Sequence, residues 1–186
     1  MTTLEPGMNS RPNPGGCSYR YYGLTALRPT SLAQTVQAAA RAVDENALKP
    51  AALQNASRGC QPRALLTVLA YCYALQIYGS ADVEALVRSD ANLRPLCQDQ
   101  FPDARMIRSF RRKNRESLQV CLEAALRFVA DQKVAQGLLS KVNDARIAEE
   151  ARRRIIVAMF TDSMELDKDQ GADTTTELCY LIAKGR

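Results

Sequence analysis

The chain has 186 residues, with 25 Lys and Arg against 20 Asp and Glu, a formal charge of +5 and no histidine. That length allows one domain with a sizeable core, or one with a small appendage, and leaves two full domains cramped. Its six cysteines form no CxxC pair and have no histidine beside them, so no metal site is expected, and buried free thiols in a reducing compartment fit better than disulfides or structural zinc.

Residues 1–29 are rich in Pro, Gly and polar side chains and are expected to be flexible, because so little apolar surface cannot offset the entropy of ordering. They hold no basic region followed by an apolar run, so no secretory signal is expected. A helical body is expected over 30–165. Its first helix is placed from Ser31, with Leu32, Val36, Ala39, Ala40 and Val43 on one face, and a shorter helix near Ala51 to Ala56 after Pro50.

The stretch PRALLTVLAYCYALQIYGS follows, with Pro62 in the first helical turn and Gly79 as the expected stop. It is apolar nearly all round, which suits the central helix of a bundle. It falls short of the ~18 apolar residues needed to span a bilayer, so no membrane partner is expected and the protein is placed in the cytoplasm. Ser80 is read as the cap of the next helix, with Val83, Leu86 and Val87 inward. A turn of helix near Asn92 to Cys97 follows.

Then comes FPDARMIRSFRRKNRES. From Asp103 to Arg115 it holds six of the basic residues and one acid, so the rest of the chain carries 19 of each sign. The charge imbalance is local, which points to one anionic partner at one surface. At 100° per residue, Met106, Ile107 and Phe110 share one face while Arg105, Arg108, Arg112 and Arg115 share the other, flanked by Arg111 and Lys113. Asp103 is the expected cap. Guanidinium groups in a row can reach phosphates on both sides of a groove. A solvated face, or pairing with acids elsewhere in the chain, remains open. Helical charge runs that are merely solvated usually contain acids at i+4, and this one has none before Glu116.

After it, Glu116 to Lys133 is helical by the spacing of Leu118, Cys121, Leu122, Ala125, Leu126 and Val129. Asn143 is expected to cap a last long helix with Ile147, Ala151, Ile155, Ala158 and Met159 along its stripe. There Ile155, Ile156, Met159 and Phe160 are expected to pack on the core or to form a dimer seam, and a homodimer would suit paired half-sites. Arg152, Arg153 and Arg154 have Glu149 and Glu150 within reach and are weaker DNA candidates. The polar segment 166–186 is expected to hold a loop and one short element. No strand pattern appears, so the fold class is all-α.

A short helix, a connection and a basic helix follow the helix-turn-helix order, with a longer turn than usual. At these residues the chain resembles the N-terminal domain of insertion-sequence transposases of the DDE class, the InsH-like type. The resemblance covers 61–129, and its most specific block is Pro102-Asp103, Ile107 and Phe110-Arg111-Arg112. Where that family commonly has a His and a Thr, this chain has Ala104 and Met106. The resemblance implies binding of duplex DNA at element ends through Arg105, Arg108, Arg111, Arg112, Lys113 and Arg115, in a nucleoid-associated protein. The family's strand-rich catalytic domain has no counterpart in these residues, so no strand transfer, enzyme activity, cofactor or small-molecule substrate is expected. Thr161-Asp162-Ser163, with Glu165, Asp167 and Asp169 nearby, faintly resembles a catalytic-acid segment. Acids crowded in one segment do not make the converging carboxylates of a two-metal site. The rival reading is a helical interaction module whose basic face docks an acidic protein. The two differ in whether carboxylates of the 31–46 or 144–165 helices cover Arg105, Arg108 and Arg112.

Overall fold

The computed structural model describes residues 29–50, 60–91, 93–98 and 100–184, with 29–31 and 165–184 as backbone alone. Among them are six α-helices and no strand: α1 Pro29–Ala42, α2 Pro62–Ala74, α3 Ser80–Ser89, α4 Ala104–Lys113, α5 Arg115–Ala135 and α6 Asp144–Lys184. The fold is all-α, as expected from the pattern. The expected flexible segment 1–29, all but its last residue, and the short helix at 51–56 lie outside the described residues.

Helix α2 is the centre, buried without interruption from Ala64 to Ala74, with α1, α4, α5 and α6 packed around it. A helix apolar on every face has nothing to present to water, so its neighbours must surround it. Leu32, Val36 and Ala40 of α1 and Leu118, Cys121, Leu122 and Ala125 of α5 supply their buried stripes. Cys60, Cys72, Cys97 and Cys121 are buried thiols outside any disulfide. Among the described residues no helix is long and apolar enough to cross a membrane.

Three local expectations are corrected. Helix α2 stops at Ala74 rather than at Gly79, because Gln76 takes a left-handed φ of 65°. The Ile77 amide then donates to the Cys72 carbonyl at 2.9 Å and the Gln76 amide to the Tyr73 carbonyl at 3.1 Å, the paired bonds of a Schellman cap. Arg154 of α6 adds a second donor to the Tyr73 carbonyl and takes up that of Ala74, both at 2.8 Å. Secondly, Gly79 is the cap residue of α3 and Ser80 is its first helical residue. Thirdly, α6 runs as one helix through to Lys184 where a loop and a separate short element were expected. Asn143 does cap it, accepting from the Arg146 amide at 3.1 Å.

Candidate nucleic-acid interface

Two acids set the start of α4. Asp103 Oδ1 accepts from the Met106 amide at 2.7 Å and Glu84 Oε2, from α3, accepts from the Ala104 amide at 2.8 Å. Both satisfy amides that the helix itself leaves open and place negative charge at the positive end of its dipole. Met106, Ile107 and Phe110 are buried, as expected. At the far end Asn114 breaks the helix. Its side chain accepts from the Lys49 amide at 2.7 Å and donates to the Lys49 carbonyl at 2.8 Å and to that of Phe110 at 3.0 Å. The basic helix is therefore held at both ends and along its inner face.

The six basic residues expected to form one surface divide. Arg105 and Arg112 are exposed and Arg108 is half-buried, and no ion pair or hydrogen bond engages these three guanidinium groups among the described residues. Lys113 is exposed and donates to the Pro50 carbonyl at 3.3 Å. Arg115 lies beyond the Asn114 break, on α5, and donates to Met159 Sδ at 3.1 Å. The break ends the regular helix assumed for Arg115, yet its side chain still lines one cleft with Arg108 and Arg112.

Arg111, expected on the flank of the basic face and among the DNA contacts, is turned into the core instead. It is only 2% exposed. Its Nη1 donates to the Tyr73 hydroxyl at 2.7 Å and its Nη2 pairs with Asp162 of α6. Asp162 also accepts from the Ser80 amide at 2.9 Å and the Ser80 hydroxyl at 2.6 Å. Burial alone would push the guanidinium towards losing its proton, but the Tyr73 oxygen and the Asp162 carboxylate outweigh it and hold the charge. Burial also pushes the Tyr73 phenol up to about 12, against the pull of Arg111. The sequence contained a signal for this: Arg111 is four residues after Ile107, so it stands on the inner flank of the helix.

Asp162 therefore converges with a cation and not with a second carboxylate. Among the described residues no group of three or more His, Cys, Asp or Glu could hold a metal ion. The carboxylate of α6 covers Arg111 and leaves Arg105, Arg108 and Arg112 open.

Sequence reasoning missed the far wall of the cleft. Between α4, the start of α5 and α6 lies a hollow of about 490 Å³, lined by Arg108, Arg111, Arg112 and Arg115 on one side and by Ile156, Met159 and Phe160 on the other. Of the apolar stripe expected to pack inward, Ile155 is buried and Met159 packs on the core, whereas Ile156 is 63% exposed and Phe160 65%. The inward face of α6 is instead Ala151, Arg154, Ile155, Ala158 and Asp162. Two polar residues occupy positions that a purely apolar pattern would have filled.

Fold and site together define an all-α domain that presents a short, firmly anchored helix with an open row of arginines. Residues 31–113 match the family model described as Transposase domain (DUF772), which relates this stretch to transposases. The match runs from the first turn of α1 through α4 and ends on the last residue of the basic helix. No significant match was found among curated proteins or among solved structures.

Proposed function

We propose that this domain binds duplex DNA through the outer face of α4 and the start of α5, in the manner of the N-terminal domain of DDE-class transposases of the InsH-like type. One observation carries the reading: Arg105, Arg108 and Arg112 stand without an acidic partner among the described residues, on a helix fixed at both ends. An unpaired cationic row lacks local neutralisation, and on binding its guanidinium groups displace the cations condensed on the DNA phosphates. Lys113 and Arg115, anchored but exposed, extend the row. Arg111 takes no part in it except by holding the helix. The proposal concerns binding, and it assigns no strand-transfer step to these residues.

The test is duplex binding by fluorescence anisotropy at two salt concentrations, comparing the native protein with the Arg108→Ala, Arg112→Ala double variant. Both side chains lie outside the core, so the variant folds. Loss of two phosphate contacts lowers the slope of log affinity against log salt by about 2. An unchanged slope and affinity would overturn the proposal. Binding of acidic protein in place of DNA by the same face would favour the interaction-module reading.

A further inference from the structure

Phe160 is an unusual residue to leave open. Its ring is 65% exposed, with Ile156 one turn earlier at 63%, and both face a hollow whose opposite wall carries the arginines assigned above to DNA. Phosphate recognition alone needs no aromatic ring. A ring beside several guanidinium groups is instead the arrangement that takes a base on its π-face while the backbone phosphates meet the cations, and it is a property of single-stranded binding. The hollow, at about 490 Å³, falls within the ~300–1,000 Å³ of sites that enclose small ligands. In its wall Arg111 has a buried Nε–H with no acceptor among the protein atoms, and a buried donor left without a partner is costly.

We propose that the cleft between α4 and α6 takes an unstacked nucleotide of single-stranded DNA adjoining the bound duplex, its base against Phe160 and its phosphates on Arg108, Arg112 and Arg115. This rests on the duplex-binding reading and specifies the form of DNA end the domain prefers. A second copy of the chain suits the patch less well. A two-fold seam here would bury Arg108, Arg112 and Arg115 of both copies, and the acid lining the hollow, Asp162, is already paired with Arg111.

The experiment compares a blunt duplex with the same duplex carrying a single-stranded overhang at either end, using 2-aminopurine in the overhang as a stacking reporter. The overhang is expected to tighten binding roughly five- to hundredfold and to quench the reporter. Phe160→Ala and Phe160→Leu lose the gain and the quench while keeping blunt-duplex affinity, and Phe160→Tyr keeps both. Phe160 is exposed, so all three variants fold, which circular dichroism checks. Equal affinity for the two DNAs overturns the inference and leaves the duplex reading standing, whereas failure to bind either DNA overturns both. A full gain retained by Phe160→Leu overturns base stacking. A native dimer that Phe160→Ala dissociates assigns the patch to a second copy and overturns the inference as well.

Discussion

Arg111 and Arg112 are neighbours in the chain and opposites in the structure. Arg111 is buried against Asp162 and Tyr73. Arg112 is exposed, and no ion pair engages it among the described residues. The arginines of α6 show a third condition. Arg153 and Arg154 both bind Glu150, whose carboxyl is held down to about 2, first by the Arg153 hydrogen bond and, against the cost of its burial, by Arg154. The comparison teaches that an arginine's role follows from which acids its fold brings within reach. Those of α4 that meet none, Arg105, Arg108 and Arg112, remain available to an outside anion.

The largest expected effect breaks the inner half of this comparison. Asp162→Ala removes the partner of a desolvated guanidinium and also the acceptor for the Ser80 amide and hydroxyl. Stranding a buried charge in this way costs about 3–5 kcal/mol, read from urea unfolding. Combining Arg111→Met with Asp162→Leu recovers much of that loss, because no charge is then left alone. If Asp162→Ala costs under about 1 kcal/mol, the pair is not desolvated as described, and the contrast with Arg112→Ala, expected within about 0.5 kcal/mol of native, collapses.

Arg154→Ala sharpens the outer half. It removes charged hydrogen bonds to the Tyr73 and Ala74 carbonyls but leaves Glu150 paired with Arg153. The expected cost is therefore smaller, about 1.5–3 kcal/mol, with DNA affinity unchanged while the fold persists. Arg112→Ala should do the reverse, weakening DNA binding without moving the urea midpoint. Two arginines, of which Arg154 was already the weaker DNA candidate by sequence, would then be separated by two measurements.

How much of this was legible depended on whether the signal was local. The buried face of α4 followed from Met106, Ile107 and Phe110 at helical spacing, and Asp103 announced its cap. The partner of Arg111 lies 51 residues away, and no periodicity within α4 points to Asp162. The stripe of α6 was read as apolar because Ile156 and Phe160 are apolar, yet Arg154 and Asp162 take the inward positions. Their polar groups are affordable inside only because Tyr73, Ser80, Arg111 and the end of α2 supply partners. Helix ends show the same division. Helices α2 and α5 both close with Schellman caps: the Leu138 amide donates to the Lys133 carbonyl at 2.9 Å, as the Ile77 amide does to Cys72. In α5 the left-handed residue is Gly137, with φ 71°, the residue type that marks such a stop in a sequence. In α2 it is Gln76, which carries no such signal, so the expected end slid to Gly79.

That pair of caps supports the smallest prediction. A residue other than glycine loses about 1–2 kcal/mol in left-handed backbone, and among the described residues Gln76 makes no side-chain hydrogen bond that would offset it. Gln76→Gly removes the clash but adds freedom to the unfolded chain, which costs up to about 1 kcal/mol. The net expectation is a gain of about 0.5 kcal/mol in stability, read from the shift of the urea midpoint. Gly137→Ala is the mirror experiment. A methyl group there meets nothing within 4 Å, so only the backbone resists, and a loss of about 1 kcal/mol is expected. Opposite signs at the two sites would show that the caps are equivalent and differ only in residue. If Gln76→Gly destabilises, the glutamine side chain contributes something at the end of α2 that the cap geometry alone does not account for.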